Sequence, residues 1–173
     1  MSDLNWIFSR KSVRSFTTEP VSKEDLQQIL HAAFAAPSAR NMQPWEFVVV
    51  DQPDLLRQMG EELPNARMLT TAQAAIVVCG DPSKTYDGKL SNPFWVMDCS
   101  AAAENILLAV ESLGLGAVWT ASYPYEDRME VVHRVLKVPA AVLPLCVIPI
   151  GHPANDETSK DKWNPQAVHW NEW

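Results

Sequence analysis

Long apolar runs are missing from this chain of 173 residues. None reaches the roughly 18 residues of a membrane span, so no spanning helix is expected. Cysteine is sparse: Cys79, Cys99 and Cys146 stand far apart, with no CxxC pair. That excludes a disulfide scaffold and a zinc ribbon, and predicts small buried thiols in a reducing, cytoplasmic compartment. His31, His133, His152 and His169 are scattered, forming neither HExxH nor a two-His-one-carboxylate set, so no metal is expected. A basic stripe is also absent, and the formal net charge is -7, which argues against a nucleic-acid partner. The opening Met1-Ser2-Asp3-Leu4 lacks the basic-then-apolar form of a signal peptide. There is no GxSxG, Walker A or GxGxxG motif. Gly114-Leu115-Gly116 follows a predicted helix, whereas a dinucleotide fingerprint follows a strand. Each carboxylate has a surface or capping explanation, and no acid/base pair stands out. An enzyme of this sequence would carry its reactivity on a bound cofactor, with no catalytic side chain.

What is present is a folded composition: 47% hydrophobic and 20% charged residues place the chain with globular proteins rather than disordered ones. Its length predicts a single domain over 1–173. The local exception to the acidic background is Arg10-Lys11-Ser12-Val13-Arg14-Ser15-Phe16, three cations and two hydroxyl groups in one short stretch. Two readings stay open for it on its own: a solvated basic turn, or a site for a small anion, since Arg offers a donor fork and Lys a point charge. Tryptophan is abundant, at seven residues, which suits a subunit interface or a flat-ligand pocket as well as plain core.

Taken in order, Leu4, Ile7 and Phe8 recur at helical spacing and predict a short first helix ending near Lys11. Ser22 as N-cap, Asp25 three residues on and the Val21/Leu26 staple open a helix carrying Leu26, Ile29, Leu30, Ala33 and Phe34, which Pro37 ends. Residues 37–45 form a loop bracketed by prolines. It either presents its hydrogen-bonding groups to a polar heterocycle or caps its neighbours with them. Trp45 to Val50 predicts a strand, Pro53 to Leu63 a helix, and Ala74 to Cys79 a strand buried on both faces. Ser83 to Pro93 is the most loop-like stretch and the natural rim or mobile lid. Trp95 to Leu113 is the longest helical pattern, closed by Gly114. On it Glu104 and Glu111 share a wetter face, and Asn105 suits a cap or a bridge to a neighbour. Leu115 to Ala121 predicts a strand and Glu126 to Leu136 a helix. Val142 to Ile150 predicts a strand in which Pro144 and Pro149 argue for edge-like or bulged positions. The alternation gives α+β or α/β with a mixed sheet. The tail from Pro153 to Trp173 carries Trp163, Trp170 and Trp173, and needs a surface from its own core or from another subunit.

Five stretches in order resemble the FMN-dependent nitroreductase family. They are the 10–16 basic signature and Pro37-Ser38-Ala39-Arg40-Asn41-Met42-Gln43-Pro44-Trp45. Next come Asn105 with Leu113-Gly114-Leu115-Gly116 and Trp119, then Ile150-Gly151-His152-Pro153, and last Lys160-Asp161-Lys162. The resemblance implies a three-layer α+β fold, with a mixed, mainly antiparallel central sheet flanked by helices. It also implies a homodimer with FMN at the subunit interface. Carried over by position, Arg10, Ser12, Lys160 and Lys162 would hold the FMN phosphate, with Lys11 helping through its backbone or charge. Arg14 would point to the ribityl chain and the N1/O2 side of the flavin. Pro37, Ser38 and Ala39 would come from the partner subunit and cover the isoalloxazine, supported by Asn41. Arg67 falls where the family often has a Lys reaching flavin O2. Thr120 and Ala121 match the segment whose backbone faces N5 and O4. The implied activity is hydride transfer from NADH or NADPH through flavin N5 to a nitroaromatic, quinone or similar small electron-poor acceptor, in two half-reactions. The alternatives are a flavin-binding storage or regulatory protein with little turnover, and a variant acting on enones, halogenated aromatics or flavin itself. Lys162 departs from the family's usual Arg, and Thr120-Ala121 from its acidic-Gly pair. The short Ser83 to Pro93 stretch implies an open pocket, or one roofed by Tyr86, Phe94 and Trp95.

Overall fold

A computed structural model describes residues 4–85 and 93–173. Most of Ser83 to Pro93, Tyr86 included, lies outside the described residues, and the lid reading lies there with it. The centre is β2 (Ala74–Gly80), buried at every position. It lies between β1 (Trp45–Val50) and β5 (Leu143–Gly151), antiparallel to both. Its side chains alternate between two cores. Ala74, Ile76 and Val78 join α2 (Lys23–Phe34) and α4 (Phe94–Ser112). Ala75, Val77 and Cys79 join α3 (Pro53–Glu62) and α5 (Glu126–Leu136). Helices over both faces are what a continuous apolar strand requires. The three cysteines are buried free thiols in these layers, and burial pushes Cys79 up to about 12 and Cys99 to a still weaker acidity. They are packing residues rather than nucleophiles.

The expected capping of α2 is present, with Ser22 Oγ accepting the Asp25 N–H at 3.0 Å. The Asp25 carboxylate takes the Ser22 hydroxyl at 2.6 Å, so the pair closes through side chains rather than through the Ser22 backbone. Asn105 bridges α4 to α2, its Nδ2 donating to Ala32 O at 2.8 Å. Gly114, at φ 73°, ends α4, and the Leu115 N–H closes back on Val110 O at 3.0 Å.

Four sequence readings are corrected. The Leu115 to Ala121 strand is two short pieces, β3 (Gly116–Ala117) and β4 (Thr120–Ala121), both antiparallel to β5. Ile150 turns its carbonyl to Gln73 on the β2 side, so Pro149 faces the gap between these pieces, where it has no N–H to give. The β5 strand is therefore central rather than edge-like. For Pro144 the bulged alternative holds: it sits where the register slips between Val78 and Cys79. Trp95 is no pocket roof. It is 1% exposed and packs on Gly80, where any Cβ would come within 2.3 Å of its ring. Lastly, α1 (Asn5–Ser9) stops before Arg10, and its predicted apolar face, Leu4, Ile7 and Phe8, stands open to solvent.

The basic segment after α1 lies along the sheet edge. Ser12 bridges Ala117 in parallel, which makes the sheet mixed though mainly antiparallel. Val13 N–H donates to Ala117 O at 2.9 Å, Thr17 N–H to His152 O at 2.9 Å, and Ala154 N–H to Ser15 O at 2.9 Å. Val13 and Phe16 turn inward onto Gly116 and Gly151, which have no side chain to block them. Arg14 is left facing outward, and the residues after β5 are drawn back beside residues 10–14. No helix among the described residues is long and apolar enough to cross a membrane, and no group of residues among them is arranged to hold a metal.

Candidate functional site

This edge pairing brings together residues some 150 positions apart. Arg10, Lys11, Ser12, Arg14, Lys160 and Lys162 line one cavity of about 360 Å³, completed by Glu157, Thr158 and Ser159. Its donors are guanidinium, ammonium and hydroxyl groups, the set that suits a phosphate. Arg10 and Lys11 are braced from behind by the wetter face of α4. Arg10 Nε lies 3.7 Å from Glu104, and Lys11 Nζ 3.3 Å from Glu111. Arg14, Lys160 and Lys162 have no carboxylate partner among the described residues, so their charge remains available.

Arg14 also lines a second cavity, of about 240 Å³, with Pro64, Asn65, Met68, Val118, Trp119, Thr120, Ala121 and Arg128. The two cavities thus share one guanidinium. Thr120 is fixed by its hydroxyl on Val147 O at 2.7 Å, and Ala121 by its carbonyl, which accepts from Arg128 Nη1 at 3.1 Å. The β4 backbone is therefore held from both sides. Sequence reasoning placed Thr120 and Ala121 here but missed Asn65, Met68, Trp119 and Arg128. Arg128 carried a usable signal: it is a cation in the first turn of α5, where the helix dipole favours carboxylates.

Arg67 is not brought to this cavity. It lines a separate groove with Arg57, Gly60, Glu61, Leu63 and Thr70. In the short 3-10 helix Arg67–Thr70 it is Met68, the next residue, that lines the cavity with Arg14.

Pro37, Ser38, Ala39 and Asn41 line neither cavity of their own chain. Their loop is held in a fixed shape. Arg40, Asn41 and Gln43 adopt left-handed backbone, uncommon for residues with side chains. Gln43 N–H donates to Ser38 Oγ at 3.0 Å, and Gln43 Nε2 to Asn41 Oδ1 at 2.9 Å. Ala39 N–H donates to Asp98 Oδ1 at 2.9 Å, and Asp98 is buried on α4. Burial pushes the Asp98 carboxyl above the usual aspartate range, with the Ala39 N–H partly opposing it. A carboxyl raised on folding costs stability once it is ionised, and the cost fades as pH falls toward its unfolded value. Asp98→Asn keeps an acceptor for Ala39 without the charge. It is expected to melt higher than the parent near neutral pH, with the difference shrinking toward about pH 4. Melting curves across that range check it, and a constant or growing difference would contradict it.

Residues 7–66 and 58–152 match the Nitroreductase family. An Archaeoglobus fulgidus protein described as a candidate NADH dehydrogenase/NAD(P)H nitroreductase is 41% identical over 173 residues, covering 98% of both chains. A crystal structure from Bacteroides thetaiotaomicron, described in the same terms, superposes with a TM-score of 0.92 at 50% identity, over 98% of this chain and 97% of that one. An FMN-dependent nitroreductase from Clostridium difficile superposes at 0.89 with 29% identity, over 98% of this chain and 99% of that one. Matching spans, full-length relatives and a site assembled from both ends of the chain lead to one assignment: the chain belongs to the nitroreductase family.

Proposed function

We propose that the protein is an FMN-dependent oxidoreductase that takes hydride from NADH or NADPH and reduces planar electron-poor acceptors of the nitroaromatic and quinone class. The observation that carries this is the convergence of Arg10, Ser12, Arg14, Lys160 and Lys162 on one cavity that opens, through Arg14, beside the β4 backbone. The donor set fits FMN. Cations and hydroxyls in the first cavity suit the phosphate, and β4 backbone beside Met68, Val118 and Trp119 in the second suits a flat heterocycle. When bound, FMN supplies a centre that accepts hydride from the nicotinamide and passes it to the acceptor.

The chain's own residues bind, orient and polarise. Arg10, Ser12, Lys160 and Lys162 hold the phosphate, and Lys11 adds charge. Arg14 sits at the junction, where a guanidinium stabilises negative charge developing on the ring side. Thr120 and Ala121 offer backbone groups at a fixed edge. Met68 and Trp119 give this cavity part of its apolar wall beside Arg14. Pro37, Ser38 and Ala39 cover the ring from the second copy of a homodimer, and Asn41 with Asp98 keeps that loop in shape. The exposed indoles of the tail and the open face of α1 support an assembly of two copies, because they leave apolar surface uncovered on their own chain.

The visible spectrum of the purified protein, followed by anaerobic NADH and then NADPH, tests the reading. Flavin bands that bleach with a donor and return on adding a quinone or nitroarene are the expected result. Bands that neither donor bleaches would leave a flavin-binding protein without this activity. A protein that stays colourless when FMN is supplied would remove the cofactor assignment itself.

A further inference from the structure

Among the described residues, Asp98 is the one charged side chain that is buried. It sits on α4 between Trp95 and Ala102, on a buried face that is otherwise apolar. An apolar residue at this position would spare the helix the cost of desolvating a carboxyl group. Packing therefore does not account for Asp98, and a local rule broken inside a core marks a position held for another purpose. What Asp98 does is accept the N–H of Ala39, 59 residues away in the chain, at 2.9 Å.

Ala39 belongs to a strained turn. Arg40, Asn41 and Gln43 have φ of 51°, 57° and 49°, a conformation that persists only where the surroundings enforce it. Bonds within the turn set its shape, Gln43 N–H to Ser38 Oγ and Met42 N–H to Ala39 O among them. The bond to Asp98 sets where the turn sits, because α4 is anchored in the core by Ile106, Leu107 and Val110. The surroundings of the turn are apolar and open: Phe34 precedes it, Met42 lies in it and Met97 adjoins Asp98, all three exposed. Such a surface suits contact with a second copy, and the turn lines neither cavity of its own chain.

We propose that Asp98 is a positioning residue that acts across the subunit boundary: through Ala39 it fixes where Pro37, Ser38 and Ala39 lie over the flavin held by the other subunit. The inference rests on the proposed flavin site and homodimer for the place of the ring, while the tether rests on the Ala39–Asp98 bond itself. Each Asp98 then serves a cofactor that the Arg10, Ser12, Lys160 and Lys162 of its own chain do not hold. Without the tether the cover drifts, and misplacing a positioning group by about 1 Å can cost about 100-fold in rate.

The test uses two heterodimers, purified through different tags on the two chains. Each contains Asp98→Ala once and the pair Lys160→Glu, Lys162→Glu once, so each keeps a single FMN site. In the first, all three substitutions are on one chain, and the intact site is covered by the untethered turn. In the second, Asp98→Ala is on the chain that keeps the site, and the cover comes from an intact turn. The first is expected to release FMN about tenfold faster and to lose about tenfold or more in kcat/KM for a quinone, the loss of one charged hydrogen bond. The second is expected to match a heterodimer carrying the lysine substitutions alone. An Asp98 that merely stabilised its own chain would affect both arrangements alike, since their substitutions are the same. Asp98→Asn, which keeps an acceptor for Ala39, is expected to restore the first arrangement. Where the cavity left by Ala unfolds the chain, Asp98→Val, which fills it without an acceptor, takes its place. A readout without flavin is amide hydrogen exchange over residues 37–43 of the unloaded Asp98→Ala homodimer, expected to quicken about tenfold. Unchanged exchange would remove the tether. A protein that takes up no FMN would reject the flavin reading, and this role with it. A protein whose flavin is bound and reduced, yet responds alike in both arrangements, would lose only the role of Asp98.

Discussion

Arg14→Ala is expected to bind FMN about 10- to 100-fold more weakly than the parent, and to leave the bound cofactor harder to reduce. Arg14 is the one cation common to the phosphate cavity and the β4 cavity. It has no carboxylate to compensate it among the described residues, so its removal takes away net field at the junction. One charge-assisted hydrogen bond accounts for about 1.5–3 kcal/mol, which sets that range. The substitution spares the frame: Arg14 is exposed, and the pairing of the segment runs through Val13 and Thr17 backbone. Fluorescence titration with FMN and a spectroelectrochemical potential report the two effects. Arg14→Lys, with the charge kept and the fork lost, should recover part of both. Unchanged affinity and potential in Arg14→Ala would remove the residue from the site.

The larger change is expected from deleting residues 163–173. Trp163, Trp170 and Trp173 are 73%, 85% and 100% exposed, so they are not held by their own core. Buried at a subunit interface, each would rank with the anchors that cost about 2 kcal/mol or more when truncated. Losing all of them is expected to weaken self-association by about a thousandfold or more, converting a dimer to monomers in sedimentation. The melting temperature should drop with it, since partner binding stabilises the folded chain by mass action. Lys160 and Lys162 remain in the truncated chain, so lost cofactor would follow from lost assembly rather than from lost phosphate ligands. Unchanged solution mass and melting would mean that the indoles cover nothing.

Much of this architecture was legible because its signals are local. Ser22 with Asp25 marked the start of α2, Gly114 the end of α4, and β-branched runs marked β1 and β2. The phosphate cavity was legible only through resemblance, because residues 10–14 and 160–162 are drawn together by backbone pairing of the 12–17 segment with Ala117 and His152, which no spacing records. The misreadings share that origin. Whether Pro149 falls on an edge or inside a sheet depends on which neighbour its missing N–H faces. Trp95 reads as a plausible pocket aromatic until Gly80 is placed beneath it. Arg67 and Met68 are adjacent in sequence but serve different grooves, because the tight 3-10 turn sends them to different sides. Asp98, a carboxylate in an otherwise apolar stripe, makes sense only with Ala39 beside it.

Because Glu104 and Glu111 tie Arg10 and Lys11 to α4, the protein can outlast a shortage of its flavin. Five crowded cations would otherwise repel one another and drive the first and last parts of the chain apart. Two of them are neutralised in place by a helix that forms for reasons of its own, its apolar face sunk in the core. The chain emptied of FMN should therefore keep its shape, refill without refolding, and trade cofactor with the cellular pool at a rate set by diffusion and release.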